Sequence, residues 1–203
     1  MALWHVVSGE TPIDDFSELK IKGITRRAEL NVHEAENIRR ATVKYLAHTP
    51  NKRTAPFRLS WVRRLHREMF GNVWVWAGRF RTHDLNIGVS WPQIEPGLQN
   101  LLDDLTHWKN QGIDLNEQGA WLHHKSVQIH PFTNGNGRWA RLLANIWLKQ
   151  HKAGVIEWPE TLIGTASEIR DQYLAAIKKA DDGNYHELVS LHKRYGSKAV
   201  RRS

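Results

Sequence analysis

Residues 130–150 read HPFTNGNGRWARLLANIWLKQ, and the fold turns on the second half of that stretch. Trp139, Leu142, Leu143, Ile146 and Trp147 fall at i, i+3, i+4, i+7 and i+8, an apolar stripe that predicts a buried central helix. The first half carries the chemistry. A helix N-terminus presents unpaired N–H groups and the positive end of its dipole, and glycines let the backbone curl close to an anion. Gly135, Asn136 and Gly137 therefore read as a phosphate seat. Arg138 and Arg141, three apart, are expected on one side, where two guanidinium forks can reach the same polyphosphate. His130 is expected to be held extended by Pro131, which also ends the preceding helix. A neutral imidazole beside a phosphate seat suits a general base, taking a proton from a hydroxyl whose oxygen attacks phosphorus. Phe132 is expected to anchor the loop in the core. A lone histidine or a glycine turn can be mere packing, but no packing need calls for this whole set.

Upstream, AELNVHEAENIRRATVKYLA predicts a helix over 31–47, with Asn31 as its cap and Glu34 at capping-box spacing. Leu59, Val62, Leu65 and Met69 step by three and four through a second helix that Gly71 ends. Valines, tryptophans, Gly78, Gly88 and Pro92 predict an extended segment or short hairpin near 80–94. Helical spacing returns in Leu98 to Leu105, in EQGAWLHHKSVQI, in SEIRDQYLAAIKKA, and in YHELVSLHKRY with Asn184 as its cap. The whole reads as all-α, or mainly α, with one small β element: an irregular arm over 1–28, one domain over 29–195, and a basic flexible tail over 196–203. His123 and His124, adjacent in sequence, point apart on a helix and read as packed or exposed side chains rather than metal ligands. The tryptophans outside the motif read as core and rim.

The chain has 203 residues, enough for one sizeable core, and no cysteine, which excludes disulfides, thiolate chemistry and cysteine metal sites. MALWHVVSGETP lacks the pattern of a signal peptide, and no stretch is apolar for long enough to span a bilayer, so a cytoplasmic protein without a membrane partner is expected. Lysine and arginine exceed aspartate and glutamate by 29 to 21, a net +8. That excess lies partly in KRYGSKAVRRS and does not interleave with aromatics, so a nucleic-acid partner is not expected.

HPFTNGNGRWAR resembles the Fic family motif HxFx(D/E)GNGRxxR. HREMFGNVWVWAGRFR is similar to the family's segment before its flap, and HHKSVQIHPF to its motif helix. TPIDDFSELKIKGITRRAELN further resembles the subgroup called mobile mystery protein B. The resemblance implies a helical bundle around a central motif helix, with a small β-hairpin flap. It implies transfer of AMP from ATP to a hydroxyl side chain of a target protein, with self-modification as one outcome. His130 would be the base, and Gly135, Asn136 and Gly137 would hold the α-phosphate. Arg138 would grip the outer phosphates and Arg141 the γ-phosphate. Thr82, Asp84, Asn86, Ile87 and Gly88, in a flap over 82–89, would pair with the target's backbone.

Where the family has an acidic residue that helps hold magnesium, this chain has Asn134. An amide oxygen can still ligate a hard cation but lacks the charge, so Mg2+ is expected to be held mainly by the phosphates of ATP. Many family members also carry an inhibitory helix of pattern (S/T)xxxE(G/N). Glu36 and Asn37 match its end, although Val32 replaces the serine or threonine, and Glu36 is the candidate to pair with Arg141. A Fic-like phosphotransferase is disfavoured by Gly137, a dormant nucleotide-binding module is favoured by Asn134 alone, and a DNA-associated module by charge alone.

Overall fold

A computed structural model describes residues 17–24, 27–159, 163 and 167–197. Most of the expected arm and tail, and part of the segment similar to the subgroup, lie outside the described residues. Seven α-helices stand among the described ones: α1 Arg27–Leu46, α2 Leu59–Phe70, α3 Ile94–Asn110, α4 Leu115–Ile129, α5 Asn136–Gln150, α6 Glu168–Asp181 and α7 His186–Tyr195. The mainly α expectation holds.

Helix α5 is the central element, and it is buried from Trp139 to Leu148. Trp139, Leu142, Leu143, Ile146 and Trp147 join α1–α4 in one core, while Leu148 joins Tyr173, Ala176, Leu188 and Leu191 of α6 and α7 in a second. Helix α4 lies beside it, giving Leu122 and Ile129 to the first core and Ala120 to the second. The buried polar ends of these apolar side chains are satisfied: Trp139 Nε1 donates to Val62 O at 3.2 Å and Trp147 Nε1 to Gln118 Oε1 at 3.0 Å.

Three local expectations are corrected. Helix α1 begins by Arg27, so Asn31 lies inside it, exposed, and caps nothing. Leu30, Ala41 and Tyr45 pack into the core, and Glu34 and Asn37 fall on the same face by helical spacing, which puts Glu34 in the interior. Residues 80–90 form a loop with no strand pairing; the backbone bridges among the described residues are Leu19 with Trp74 and Ile156 with Gly196. Ends of helices follow sequence more closely: Gly71 closes α2, Ser167 Oγ accepts from Arg170 N at 3.2 Å, and Asn184 Oδ1 accepts from His186 N at 3.2 Å. Among the described residues, no helix is long and apolar enough to cross a membrane.

His123 and His124 sit in a buried network as packed side chains. His123 meets His192 at 3.1 Å and the Tyr173 hydroxyl at 3.0 Å, and His124 meets Tyr185 at 3.0 Å and Asp181 at 2.9 Å. Burial pushes the His66 and His192 rings down to about 3 and His130 to about 4. Each is therefore neutral in the fold and takes a proton more readily when unfolded, with a reference value near 6.5. The stability they contribute is complete above that value and is lost as pH falls from it towards their folded values. By pH 5 the loss is about 2 kcal/mol per ring. Thermal melts followed by circular dichroism should show a steep fall in midpoint below pH 6.5, and a flat profile down to pH 5 would contradict the buried neutral state.

Candidate active site

The site forms where the C-terminus of α4 meets the N-terminus of α5. His130 is the C-cap of α4 in the left-handed region, φ 52 and ψ 59, rather than extended as its proline neighbour predicts. Two anchors hold that conformation. His130 N donates to Ser126 O at 3.3 Å, and Arg81 Nε donates to His130 O at 2.8 Å. The ring's Nδ1 lies 3.3 Å from Val127 O. A carbonyl only accepts, so Nδ1 carries the proton and the neutral ring keeps its lone pair on Nε2. That Nε2 atom is buried and has no hydrogen-bond partner.

Around it, the loop is shaped by its own side chains and by the rings packed against it. Phe132 is fully buried, stacked 3.6 Å from the His66 ring and edge-on to Trp139 at 5.1 Å. Asn136 accepts from Phe132 N at 2.9 Å and donates to Phe132 O at 2.8 Å, so its side chain staples the loop instead of facing a phosphate. Asn134 Oδ1 accepts from Gly135 N at 2.6 Å, taking one of the amides expected in the seat. Gly135 has φ 79, and a Cβ there would stand 2.6 Å from the Phe70 ring, so conformation and packing both require glycine. Gly137 differs: a Cβ would meet Arg141 Nη1 at 3.4 Å, an ordinary contact. Packing leaves that glycine unexplained, which fits close approach by a ligand to the start of α5.

The two arginines occupy opposite settings. Arg138 Nη1 donates to Glu34 Oε2 at 2.6 Å and its guanidinium lies 4.9 Å from the Phe70 ring. Arg141 is buried, with its guanidinium 5.6 Å from the Tyr173 ring. Glu34 is 2% exposed and also accepts from Trp74 Nε1 at 2.6 Å. Glu36 does not make the expected pair with Arg141. It bonds Arg39 and Arg40, each at 2.8 Å, and these hydrogen bonds lower its carboxyl to about 2 on the outer face of α1. Glu34 takes the interior position because it shares the face of α1 that carries buried Leu30, Ala41 and Tyr45, whereas Glu36, two residues on, falls on the opposite side.

Arg81 and His66 escaped the sequence reading. The Arg81 side chain is fully buried and donates to the carbonyls of His130, His83 (2.9 Å) and Val89. Backbone bonds complete the arrangement: Arg81 N to Pro131 O at 3.0 Å and Val89 N to Ile129 O at 3.4 Å. Both ends of the 81–89 loop are thus tied to the residues flanking His130. Gly88, φ 93, passes so close that a Cβ would lie 2.6 Å from His130 Cβ. Thr82, Asp84, Asn86 and Ile87 are exposed on this loop, and Asp84 Oδ1 accepts from Trp91 N at 2.7 Å. His66 Nδ1 accepts from Gly78 N and its Nε2 donates to Asn134 O, both at 3.0 Å, joining the base of the flap to the anion loop. A histidine inside the apolar stripe of α2, between Leu65 and Met69, is the signal that could have found it.

Asn134 faces its own backbone, and among the described residues no cluster of three or more histidines, aspartates or glutamates could hold a metal. These residues do not fit a protein-held magnesium.

Residues 56–148 match the Fic/DOC family model, and they span this loop, its flap and both helices around it. This chain carries a Fic/DOC domain. It is 32% identical over 143 residues to protein adenylyltransferase fic-1 of Caenorhabditis elegans, covering 68% of this chain and 27% of that protein. It is 35% identical over 130 residues to protein adenylyltransferase Fic of Drosophila mojavensis, covering 62% and 24%. The chain thus spans about a quarter of the length of these curated relatives. Among solved structures, Fic-1 (aa134 - 508) of Caenorhabditis elegans superposes with a TM-score of 0.68 at 28% identity, covering 86% of this chain and 50% of that one. BepC of Bartonella tribocorum, with bound AMPPNP, gives 0.65 at 17% identity over 95% and 96% of the two chains, a likeness of fold. In this Fic domain, His130, the loop to Arg138, Arg141 and the 81–89 flap lie within the matched residues, whereas Glu34 and Tyr173, which contact the two arginines, lie outside them.

Proposed function

We propose that this Fic domain transfers AMP from ATP to a hydroxyl side chain of a protein target. The observation that carries the reading is His130 Nε2: buried, unprotonated, without a partner in the protein, and set one short loop ahead of the N-terminus of α5. The relatives named adenylyltransferases, and the AMPPNP held by BepC, support the choice of nucleotide.

The target hydroxyl gives its proton to His130 Nε2 while its oxygen bonds to the α-phosphorus. The bond from that phosphorus to the pyrophosphate oxygen breaks, and pyrophosphate leaves. Backbone amides of Asn136 and Gly137, with the α5 dipole, stabilise the charge that develops on the α-phosphate. Arg141, beside Gly137, neutralises the outer phosphates. Exposed flap residues Thr82 to Gly88 hold the target backbone next to His130, because Arg81 ties that loop to the histidine's own carbonyl.

Arg138 is engaged by Glu34, so the described arrangement is a restrained one in which α1 withholds a phosphate-binding arginine. Glu34 replaces Glu36 as the brake. The test of transfer is incubation with ATP labelled separately at the α and γ positions. Label on protein from the α position alone is expected; label from γ alone would make it a kinase, and label from neither would leave no transferase.

A further inference from the structure

We propose that the cavity between the flap and the start of α3 is a specificity pocket for an aromatic side chain of the target, flanked by acidic residues. The proposal rests on the reading that the flap holds a target segment. The cavity measures about 550 Å³, and its walls include Phe80, Thr82, Trp91, Pro92, Arg63 and Arg79. That volume lies in the range of roughly 300–1,000 Å³ that ligand pockets occupy.

Three features select the occupant. The first is position. Arg81 is also part of the lining and donates to His130 O at 2.8 Å, so one side chain separates the cavity from the candidate base. Thr82 opens the flap at the cavity's edge, so an extended chain lying along the flap passes both. The second is Trp91. Trp61, Trp74 and Trp139 are fully buried, whereas Trp91 is 47% exposed. Its backbone is nevertheless fixed, since its amide is bonded to Asp84 and Pro92 follows it in a short 3-10 turn. A half-exposed indole that lines the same cavity as Phe80 offers edge and face contacts to another aromatic ring. The third is charge. The lining residues include Arg63, Arg79 and Arg81 against one acidic residue, Glu95; the Arg81 guanidinium is buried on backbone carbonyls, which leaves Arg63 and Arg79 as the cations nearest an occupant. Arg63 spreads over the Phe80 ring at 5.1 Å, and among the described residues Arg79 has an exposed contact with Glu18 at 3.8 Å, a pairing too weak to satisfy it. A ring between acidic neighbours complements such a wall.

The test uses the full chain and fluorescein-labelled peptides bearing one threonine, with a phenylalanine and two glutamates moved through positions on either side of it. Control peptides replace the phenylalanine by alanine or the glutamates by glutamine. Anisotropy without nucleotide should find one register that binds about tenfold more tightly than both controls. Trp91→Ala and Arg79→Glu should each erase that preference while binding of a fluorescent ATP analogue, read in the same samples, stays unchanged. Equal affinity for every peptide, or an unaltered preference in both variants, would overturn the pocket. Transfer from α-labelled ATP is scored separately in a Glu34→Gly background. Preferred binding without transfer leaves the pocket standing and removes the transferase reading; equal transfer to all peptides does the reverse.

Discussion

His130→Ala should lower transfer of α-phosphate label to protein by about 10²–10⁴-fold, the usual contribution of a positioned general base. Nucleotide affinity should hardly change. The ring makes one bond to the protein, from Nδ1 to Val127 O, and its other nitrogen meets nothing, so its removal disturbs neither the loop nor α5. Burial leaves the ring at about 4, well below neutrality, so the base is ready at pH 7 and the rate per folded molecule should stay level from pH 8 down to about pH 5. The paired readout matters. Loss of transfer with intact nucleotide binding assigns the proton to His130, whereas loss of both would mean that the side chain holds the loop together.

Glu34→Gly should raise transfer, on the order of tenfold or more, by releasing Arg138 to the phosphates. The same change should cost stability. Trp74 Nε1 donates to Glu34 in the core, and stranding that buried donor costs about 1–3 kcal/mol, a midpoint lower by roughly 2–10 °C for a chain of this size. Glycine inside α1 adds about 1 kcal/mol. Glu36→Gly provides the comparison: it breaks exposed pairs with Arg39 and Arg40 and should leave transfer where it was. A rise in the Glu36 variant and none in the Glu34 variant would reverse the assignment. The two changes in one protein, faster and less stable, cannot both follow from a solvated carboxylate.

What the sequence disclosed and what it hid follow from one physical difference. Apolar periodicity needs no partner to be read, so α2, α4 and α5 were legible from Val62 and Leu65, Leu122 and Ile129, and Trp139 to Trp147. The GNG turn was legible for a similar reason, because glycines and a cation at a helix start have few other uses. The interior polar residues were not legible in this way. Glu34 looked like a capping partner because Asn31 looked like a cap; the helix start at Arg27 removes the cap, and Glu34 then reads as a member of the buried face it shares with Leu30, Ala41 and Tyr45. Asn136 and Asn134 looked like ligands of phosphate or metal, yet their amides bond the loop's own backbone. Arg81 gave no periodic sign at all, since its partners are carbonyls from the flap and the α4 terminus. The alternation near residue 80 was visible, but the bonds that fix the segment come from that arginine and from the backbone beside His130, not from a companion strand.

Helix α5 contributes side chains to both hydrophobic clusters, and the anion loop is its first turn. The helix that starts at the loop is therefore held at its far end by Leu148 in the second cluster. A large-to-small substitution in α6 or α7 removes packing from that end without touching the loop, and it should lower the folded fraction while nucleotide affinity per folded molecule stays unchanged.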